Sequence, residues 1–308
     1  MRATSRLIRR ALGTAVLSLA LLLALMASRA GGPAPPHQLL VKRPVAPRPT
    51  YGTQLAPRQV RVRLKLPLTS ALLFNVNTGQ VLWSRRPDDV LPIASLTKMM
   101  TALVAVAHTK PTDTAYISAR AVRFTGSGMG VLPVHKQVPV KTLLYGLLLP
   151  SGNDAAVALA QHVAGSVDGF IAMMNAHARA MGLTCTHFST VSGVIDRGNY
   201  SCTHDLATLA HAVLKQPLLA RIVATEYAIE PLPIKGGKAY LYNNNPLLIE
   251  RYPGTDGVKT GFTSKAGQCL VATARRGKVW LGVVLLHSAN IALQGVTVLN
   301  AGFAAAGR

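Results

Sequence analysis

Strand-like patterns at both ends of the sequence constrain its fold more than any other feature. Residues 71–76 and 80–84 are short apolar runs separated by a turn sequence that ends in Gly79, which is typical of a β-hairpin. Residues 268–275 and 278–287 form a second such pair around another glycine turn. Two hairpins this far apart in the chain can share a core if they pair into one antiparallel sheet.

Helical patterns occupy the chain between these hairpins and follow the last strand. Their apolar spacing predicts helices over residues 140–149, 155–163, 170–181, 204–214 and 291–305. The sequence therefore predicts an α+β fold, with an antiparallel sheet built from both termini, flanking helices and a helical insert between them.

The composition excludes a chain that is disordered throughout, and the distribution of charge argues against a nucleic-acid partner. Hydrophobic residues make up 49% of the 308 residues, which is enough to bury a substantial core. The net charge of +22 is typical of proteins that bind nucleic acid or anionic surfaces. However, residues 1–87 contain 14 basic and no acidic residues, whereas residues 88–308 contain 19 basic and 11 acidic residues. Since the later region also has no basic stripe with interleaved aromatic residues, we expect no nucleic-acid partner.

The first 65 residues have the composition of a leader and a linker. Four arginines precede an apolar run, and Ser28 and Ala30 fit a signal-peptidase site, so residues 1–30 are predicted to be a signal peptide or an uncleaved anchor. Residues 31–65 are rich in proline and basic residues, which predicts an extended linker. Its charge suits anionic membrane lipids or wall polymers, or it is a solvated tail without a partner. We expect export to the periplasm or the cell-envelope exterior, with the folded domain over residues 66–308.

A serine and a lysine stand three residues apart in Ser95-Leu96-Thr97-Lys98, at the predicted start of a helix. This spacing places both side chains on one helical face, with Cβ atoms about 5 to 6 Å apart. A lysine kept neutral by burial or by a second cation could take the proton of the serine hydroxyl. The motif is short, and a capping serine beside a solvated lysine explains it as well.

Two further short motifs follow in chain order. Ser151-x-Asn153 precedes a helix, where both side chains could act as caps. Lys259-Thr260-Gly261 lies in a β-like run whose glycines permit close approach of another backbone or of a substrate. Each motif alone is weak evidence. Together and in this order, the three match the motif set of penicillin-binding proteins and class A β-lactamases.

On these residues, the chain resembles the low-molecular-mass penicillin-binding proteins of the serine D-alanyl-D-alanine carboxypeptidase family, peptidase family S11. The resemblance spans about residues 68–287. It implies a β-lactamase/transpeptidase-like fold and an exported enzyme that trims peptidoglycan stem peptides through an acyl-enzyme. It also implies covalent inhibition by β-lactams and no cofactor.

The resemblance implies three residues that handle the bond being broken. Ser95 would attack the carbonyl of the penultimate D-alanine and form the acyl-enzyme. Lys98 would be the base, with its proton affinity lowered by burial and by Lys259. Ser151 would pass a proton to the leaving amine.

The resemblance also implies residues that hold the substrate. Asn153 would bind the peptide's amide, and Lys259 and Thr260 would bind its terminal carboxylate. Gly261 would give the substrate room beside the strand. The backbone N–H of Phe262, with that of the nucleophilic serine, would form the oxyanion hole.

One departure from the family leaves the activity partly open. In some carboxypeptidases of this family an arginine stands in the middle of an Asn-x-Asn element, whereas this chain has Asn244 there. This departure also suits the family's D,D-endopeptidases, which cut peptidoglycan cross-links. A β-lactamase is less well supported, because no Glu-x-x-Leu-Asn element lies between the second and third motifs. An inactive wall-binding homologue would lack a catalytic side chain, yet all of them are present.

Cysteines and histidines add weaker expectations. Cys185 and Cys202 could pair in an oxidising compartment or stay reduced, whereas Cys269 alternates into a buried strand and is expected to be a free thiol. The nine histidines have no metal-ligand spacing, so no metal site is expected. We also expect a monomer.

Overall fold

The computed structural model describes residue 64, residues 66–124 and residues 126–307. The predicted signal peptide and nearly all of the predicted linker lie outside the described residues, so the predicted domain boundaries stay predictions. Among the described residues, no single helix has the length and apolar composition needed to cross a membrane. Two sharply bent helix pairs meet that criterion by length and composition only.

Strands and helices alternate along the described chain. The strands are β1 (Ser70–Asn75), β2 (Val81–Arg85), β3 (Leu91–Pro92), β4 (Thr114–Tyr116), β5 (Gln137–Pro139), β6 (Tyr200–Ser201), β7 (Tyr227–Pro231), β8 (Lys238–Tyr242), β9 (Thr255–Thr263), β10 (Gly267–Arg276) and β11 (Val279–Ser288). The α-helices are α1 (Lys98–His108), α2 (Ala119–Val122), α3 (Val140–Leu148), α4 (Asn153–Ala164), α5 (Val167–Ala180), α6 (Thr203–Lys215), α7 (Pro217–Val223), α8 (Pro246–Ile249) and α9 (Ile291–Ala305).

The central sheet has five strands in the order β2-β1-β11-β10-β9, with antiparallel neighbours throughout. The two predicted hairpins are both present, and each of their strand bounds lies within one residue of the prediction. β1 pairs with β11, so the sheet joins the two ends of the described chain. The predicted α+β architecture is confirmed.

Alternation along the strands gives the sheet an apolar face on each side. On β1, Leu72 and Phe74 belong to the larger core with the helical region, whereas Ala71 and Leu73 belong to a smaller core that includes Phe303 of α9. Successive side chains of a strand point to opposite faces, so a strand covered on both sides becomes a continuous apolar run. The sheet therefore separates two cores, and β9 lies at one of its edges.

The predicted start of the serine helix needs a correction. Ser95 lies in a 3₁₀ turn over Ala94–Thr97, and regular α-helix begins only at Lys98. Ala94 has a φ of 46°, in the left-handed region that L-residues rarely adopt, so a regular helix does not run through the residue before the serine. Non-glycine residues held in this region are common at functional sites.

The cysteines have two different states. Cys185 and Cys202 form a disulfide, which closes a loop whose last residue caps α6. Cys269 is a buried free thiol on β10, as predicted. Three further two-stranded sheets pair β3 with β6, β4 with β5 and β7 with β8.

Candidate active site

The three motifs meet at one groove of about 610 Å³. The groove lies between the 3₁₀ turn, the segment before α4 and the edge strand β9. Its lining residues are Ser95, Ser127, Ser151, Asn244, Pro246, Thr260, Gly261, Phe262, Gln268, Asn290, Ile291 and Ala292. Residues up to 197 positions apart in the chain therefore contribute to a single concave surface.

Lys98 is fully buried beneath the groove and has three oxygen neighbours. Its Nζ lies 2.9 Å from Ser95 Oγ, 2.8 Å from Asn153 Oδ1 and 2.8 Å from the carbonyl oxygen of Ser192. The amide oxygen and the carbonyl can only accept hydrogen bonds, so a neutral amine would spend its two N–H groups on them. Its lone pair then points to the serine hydroxyl, which is the arrangement a base needs.

The electrostatics of the site favour this neutral state. Burial lowers the pKa of Lys98 well below its ordinary value of 10.5, and the nearby positive charge of Lys259 lowers it further, while the Asp154 carboxylate acts in the opposite direction. Taking an ammonium out of water costs free energy, and a second cation adds repulsion. Both causes predicted from the sequence operate here, and Asp154 is an opposing group that the sequence analysis did not identify.

In the second motif, Ser151 lines the groove, whereas Asn153 contacts Lys98. Ser151 has a φ of 66°, and its buried Oγ makes no hydrogen bond to any described residue, so its bonding capacity is unused. Asn153 was predicted to bind a substrate amide, which stays a prediction. The structure adds a role, because its Oδ1 accepts a hydrogen bond from Lys98.

On the third motif, Thr260, Gly261 and Phe262 line the groove, and Lys259 lies behind them with 2% of its surface exposed. The Lys259 Nζ donates to the carbonyl of Thr260 at 3.0 Å. Burial lowers the pKa of Lys259 to about 7. An anion bound in the groove would stabilise its ammonium form, since an opposite charge favours ionisation.

Close backbone neighbours explain why a glycine stands at position 261. A Cβ atom at this position would lie 3.0 Å from both the carbonyl oxygen of Ile93 and the backbone nitrogen of Ser95. Of the two predicted reasons for this glycine, the approach of another backbone is the one seen here, and that backbone carries the predicted nucleophile; clearance for the substrate stays a prediction. The glycine therefore lets β9 approach the serine turn, which brings the N–H of Ser95 to the edge strand that carries Phe262, its predicted partner in the oxyanion hole.

Sequence reasoning missed the role of the loop closed by the Cys185–Cys202 disulfide. Besides the carbonyl that accepts from Lys98, this loop supplies Asn199, whose Nδ2 donates to Thr97 Oγ1 at 2.7 Å. It also supplies Asp196, which accepts from the Thr263 hydroxyl at 2.8 and 2.9 Å. The loop thus contacts the serine turn and the end of β9, and the cysteine pair was its only signal in the sequence.

Asp154 holds a second segment that sequence reasoning missed. Its Oδ1 accepts from the backbone N–H of Met129 at 2.9 Å, and its Oδ2 accepts from that of Gly130 at 3.1 Å. The carbonyl of Ser127 accepts from the backbone N–H of Asn153 at 2.8 Å. These bonds place Ser127 in the groove wall, although nothing in its local sequence indicated this.

The Asn243-Asn244-Asn245 element forms another part of the wall. Asn243 and Asn245 are buried, and their Nδ2 groups donate to the carbonyls of Thr225 and Gly257, both at 2.9 Å. Asn244 between them is exposed and lines the groove. The outer two asparagines therefore anchor the segment and present the middle one to the groove.

Sequence comparison identifies the family to which this site belongs. A family model described as D-alanyl-D-alanine carboxypeptidase, peptidase family S11, matches residues 59–290. The chain is 36% identical over 217 residues to a D-alanyl-D-alanine carboxypeptidase of Bacillus subtilis, which covers 68% of this chain and 54% of the relative. It is also 34% identical over 222 residues to a D-alanyl-D-alanine endopeptidase of Pseudomonas aeruginosa, covering 71% of each. The chain thus spans about half the length of the Bacillus relative.

Structural comparison agrees with this result. The crystal structure of a D-alanyl-D-alanine carboxypeptidase from Mycobacterium tuberculosis is 32% identical in sequence, has a TM-score of 0.74, and covers 78% of this chain and 92% of its own. The predicted fold class and family resemblance are both confirmed. From its sequence, fold and convergent motifs, the chain belongs to the D-alanyl-D-alanine carboxypeptidase family of serine peptidases, S11.

Proposed function

We propose that this chain is a serine D-Ala-D-Ala carboxypeptidase that trims the stem peptides of peptidoglycan. The observation that carries this proposal is the buried amine of Lys98, held 2.9 Å from Ser95 Oγ in the groove that also contains the uncommitted hydroxyl of Ser151. This arrangement supports the roles of nucleophile for Ser95, base for Lys98 and proton relay for Ser151.

Acylation begins when neutral Lys98 accepts the hydroxyl proton of Ser95 and Oγ bonds to the carbonyl carbon of the penultimate D-alanine. The resulting oxyanion is stabilised by the backbone N–H groups of Ser95 and Phe262, where losing one donor costs about 3 to 4 kcal/mol. The C–N bond then breaks, and the Lys98 ammonium returns its proton through Ser151 to the leaving nitrogen. Free D-alanine leaves, and an ester on Ser95 remains.

Deacylation reverses these roles with water as the nucleophile. Lys98 removes a proton from the water, whose oxygen bonds to the ester carbon, and the ester C–O bond breaks as Ser95 Oγ regains a proton. The shortened stem peptide is released with a new carboxylate. In this scheme one base serves both steps.

Substrate selection rests on the terminal carboxylate. Lys259 supplies a buried positive charge behind Thr260, and binding of the carboxylate favours the ammonium form over the neutral form that burial favours. The Thr260 hydroxyl donates to the same group. A peptide that lacks a free carboxylate at this point would leave the buried cation without an anion.

A β-lactam would acylate Ser95 by the same attack and remain bound, since its leaving group stays attached to the acyl-enzyme. The test is to incubate the full chain with a fluorescent penicillin and to locate the label by mass spectrometry, with Ser95→Ala as the control. Label on Ser95 that is lost in the alanine variant is the expected result. An unlabelled parent, or label retained by Ser95→Ala, would refute the nucleophile assignment.

Endopeptidase activity is the second candidate. It is favoured by Asn244, which lines the groove without a charge that would require a free carboxylate, and by the similarity to the Pseudomonas endopeptidase. Incubation with a stem pentapeptide and with a cross-linked dimer separates the two activities. Release of D-alanine alone supports the carboxypeptidase, and conversion of the dimer to monomers supports the endopeptidase.

The cellular setting belongs to the same proposal. The predicted signal peptide over residues 1–30 supports export to the periplasm or cell-envelope exterior, and the basic segment 31–65 supports contact with anionic lipids or wall polymers. We expect a monomer. Fractionation of cells and sedimentation of the purified chain test the location and the oligomeric state, respectively.

A further inference from the structure

An exposed aromatic surface stands on the β7–β8 hairpin. It consists of Tyr227, Ile229, Tyr240 and Tyr242, called here the tyrosine face. In the antiparallel register, Tyr227 lies opposite Tyr242 and Ile229 lies opposite Tyr240, so all four side chains are on the same side of the ribbon. Their exposed fractions range from 41% to 62%. The rings of Tyr227 and Tyr242 have centroids 4.9 Å apart.

The opposite side of the hairpin explains why the tyrosine face is held outward. Ala239 and Leu241 alternate with the tyrosines and are buried in the larger core, and Glu230 is buried beside Lys141. The hairpin is therefore anchored through one face and cannot turn its tyrosines inward without exposing that face. Clustered apolar side chains that remain exposed on a fold commonly mark an interaction surface.

The tyrosine face is continuous with the catalytic groove. β8 ends at Tyr242, the buried Asn243 follows, and the next residue, Asn244, is exposed and lines the groove. Two residues of extended chain span about 7 Å. The end of the tyrosine face at Tyr242 is therefore a close neighbour, along the chain, of the groove wall at Asn244.

We propose that the tyrosine face binds the glycan strand to which the stem peptide is attached. This inference rests on the proposed function, because a stem peptide bound in the groove is the reason to expect a glycan strand beside it. A five-residue stem reaches at most about 17 Å from its terminal residue, so its sugar lies near the groove mouth. Pyranose rings present flat C–H surfaces with hydroxyls at their edges. Tyrosines match this chemistry with an apolar ring and a polar tip.

The experiment compares binding of the full chain to insoluble peptidoglycan with binding of a Tyr240→Ala/Tyr242→Ala variant. High salt suppresses adsorption through the basic N-terminal segment. Tyr116→Ala is the matched control, since Tyr116 is a 49% exposed tyrosine on a different two-stranded sheet. We expect the double variant to bind about tenfold more weakly, the control to bind as the parent does, and Tyr240→Phe/Tyr242→Phe to retain binding through its rings.

Two further measurements identify the occupant and separate this inference from the proposed function. Glycan strands stripped of their stem peptides should compete for binding, and labelling of Ser95 by fluorescent penicillin should be equal in parent and double variant. Unchanged binding by the double variant, equal loss in Tyr116→Ala, or a dimer that dissociates in the double variant would overturn the inference. An unlabelled parent that still needs its tyrosines for peptidoglycan binding would refute the proposed function and leave the glycan site standing.

Discussion

Replacing Asn153 by aspartate tests whether Lys98 acts as a neutral base. The two side chains have nearly the same shape, and Asn153 Oδ1 lies 2.8 Å from the buried Nζ, so the substitution adds a negative charge where an amide dipole now stands. An opposite charge this close favours the ammonium form and should raise the pKa of Lys98 by about 1 to 3 units. This corresponds to about 1.4 to 4 kcal/mol.

The expected kinetic effect follows from the sign of this shift. Only neutral Lys98 can accept the proton of Ser95, and below its pKa the neutral fraction falls tenfold for each unit by which that pKa rises. The acidic limb of the pH profile for acylation should therefore move to higher pH by about 1 to 3 units, with a loss of roughly 10- to 1000-fold at pH values on that limb. Raising the pH should restore much of the rate.

The assay is the rate of acylation by a fluorescent penicillin, measured for the parent and Asn153→Asp across the pH range. Asn77→Asp is the control for an added charge, because Asn77 is exposed in the turn between β1 and β2. An acidic limb at the same pH in parent and variant would refute the argument. A loss of equal size at every pH would show that Asn153 acts on the ligand instead of on Lys98.

Three further predictions concern the groove and its supports. Gly261→Ala should slow acylation about tenfold or more with little change in melting temperature, because the added Cβ displaces the serine turn by a few tenths of an ångström; an unchanged acylation rate would contradict this. Reducing the Cys185–Cys202 disulfide should lower the free energy of unfolding, measured in urea, by about 3 kcal/mol. In the Cys185→Ser/Cys202→Ser variant, the reductant should leave the free energy of unfolding unchanged. Lys259→Met should raise the free energy of unfolding. Burial lowers the folded-state pKa of Lys259 from 10.5 to about 7, so the protonated lysine destabilises the fold fully below pH 7, and the gain should shrink as the pH rises toward 10.5. A gain that does not change with pH would argue against a buried charge at this position.

The site contains two buried lysines. Lys98 and Lys259 are both fully or almost fully buried, and each lacks a carboxylate in an ion pair within the described residues. Burying two such groups costs stability, and the cost falls on the two lysines that are proposed as the base and as part of the anion site. The burial that costs stability is also the main cause that lowers the pKa of Lys98 and so favours its neutral amine.

Much of the fold could be predicted because its signals are local. Apolar patterning predicted the first and last residues of the four hairpin strands to within one residue of their observed positions. Such patterning reflects which face of the sheet each side chain occupies, and this can be recognised in a short stretch of sequence. The exception was the serine helix. Its 3₁₀ start depends on the left-handed backbone of Ala94, and alanine carries no sequence signal for that conformation.

The family and the sheet could be established, and the nucleophile predicted, from the sequence alone, because motif residues keep their chemistry and spacing whatever lies around them. The way in which Lys98 is held depends on contacts that form only when the chain folds. One of its acceptors is the backbone carbonyl of Ser192, 94 residues away, and the carboxylate that opposes its pKa shift also positions the Ser127 segment. A carbonyl is the same group in every residue, and burial is a property of the packed chain, so neither can be identified from the local sequence.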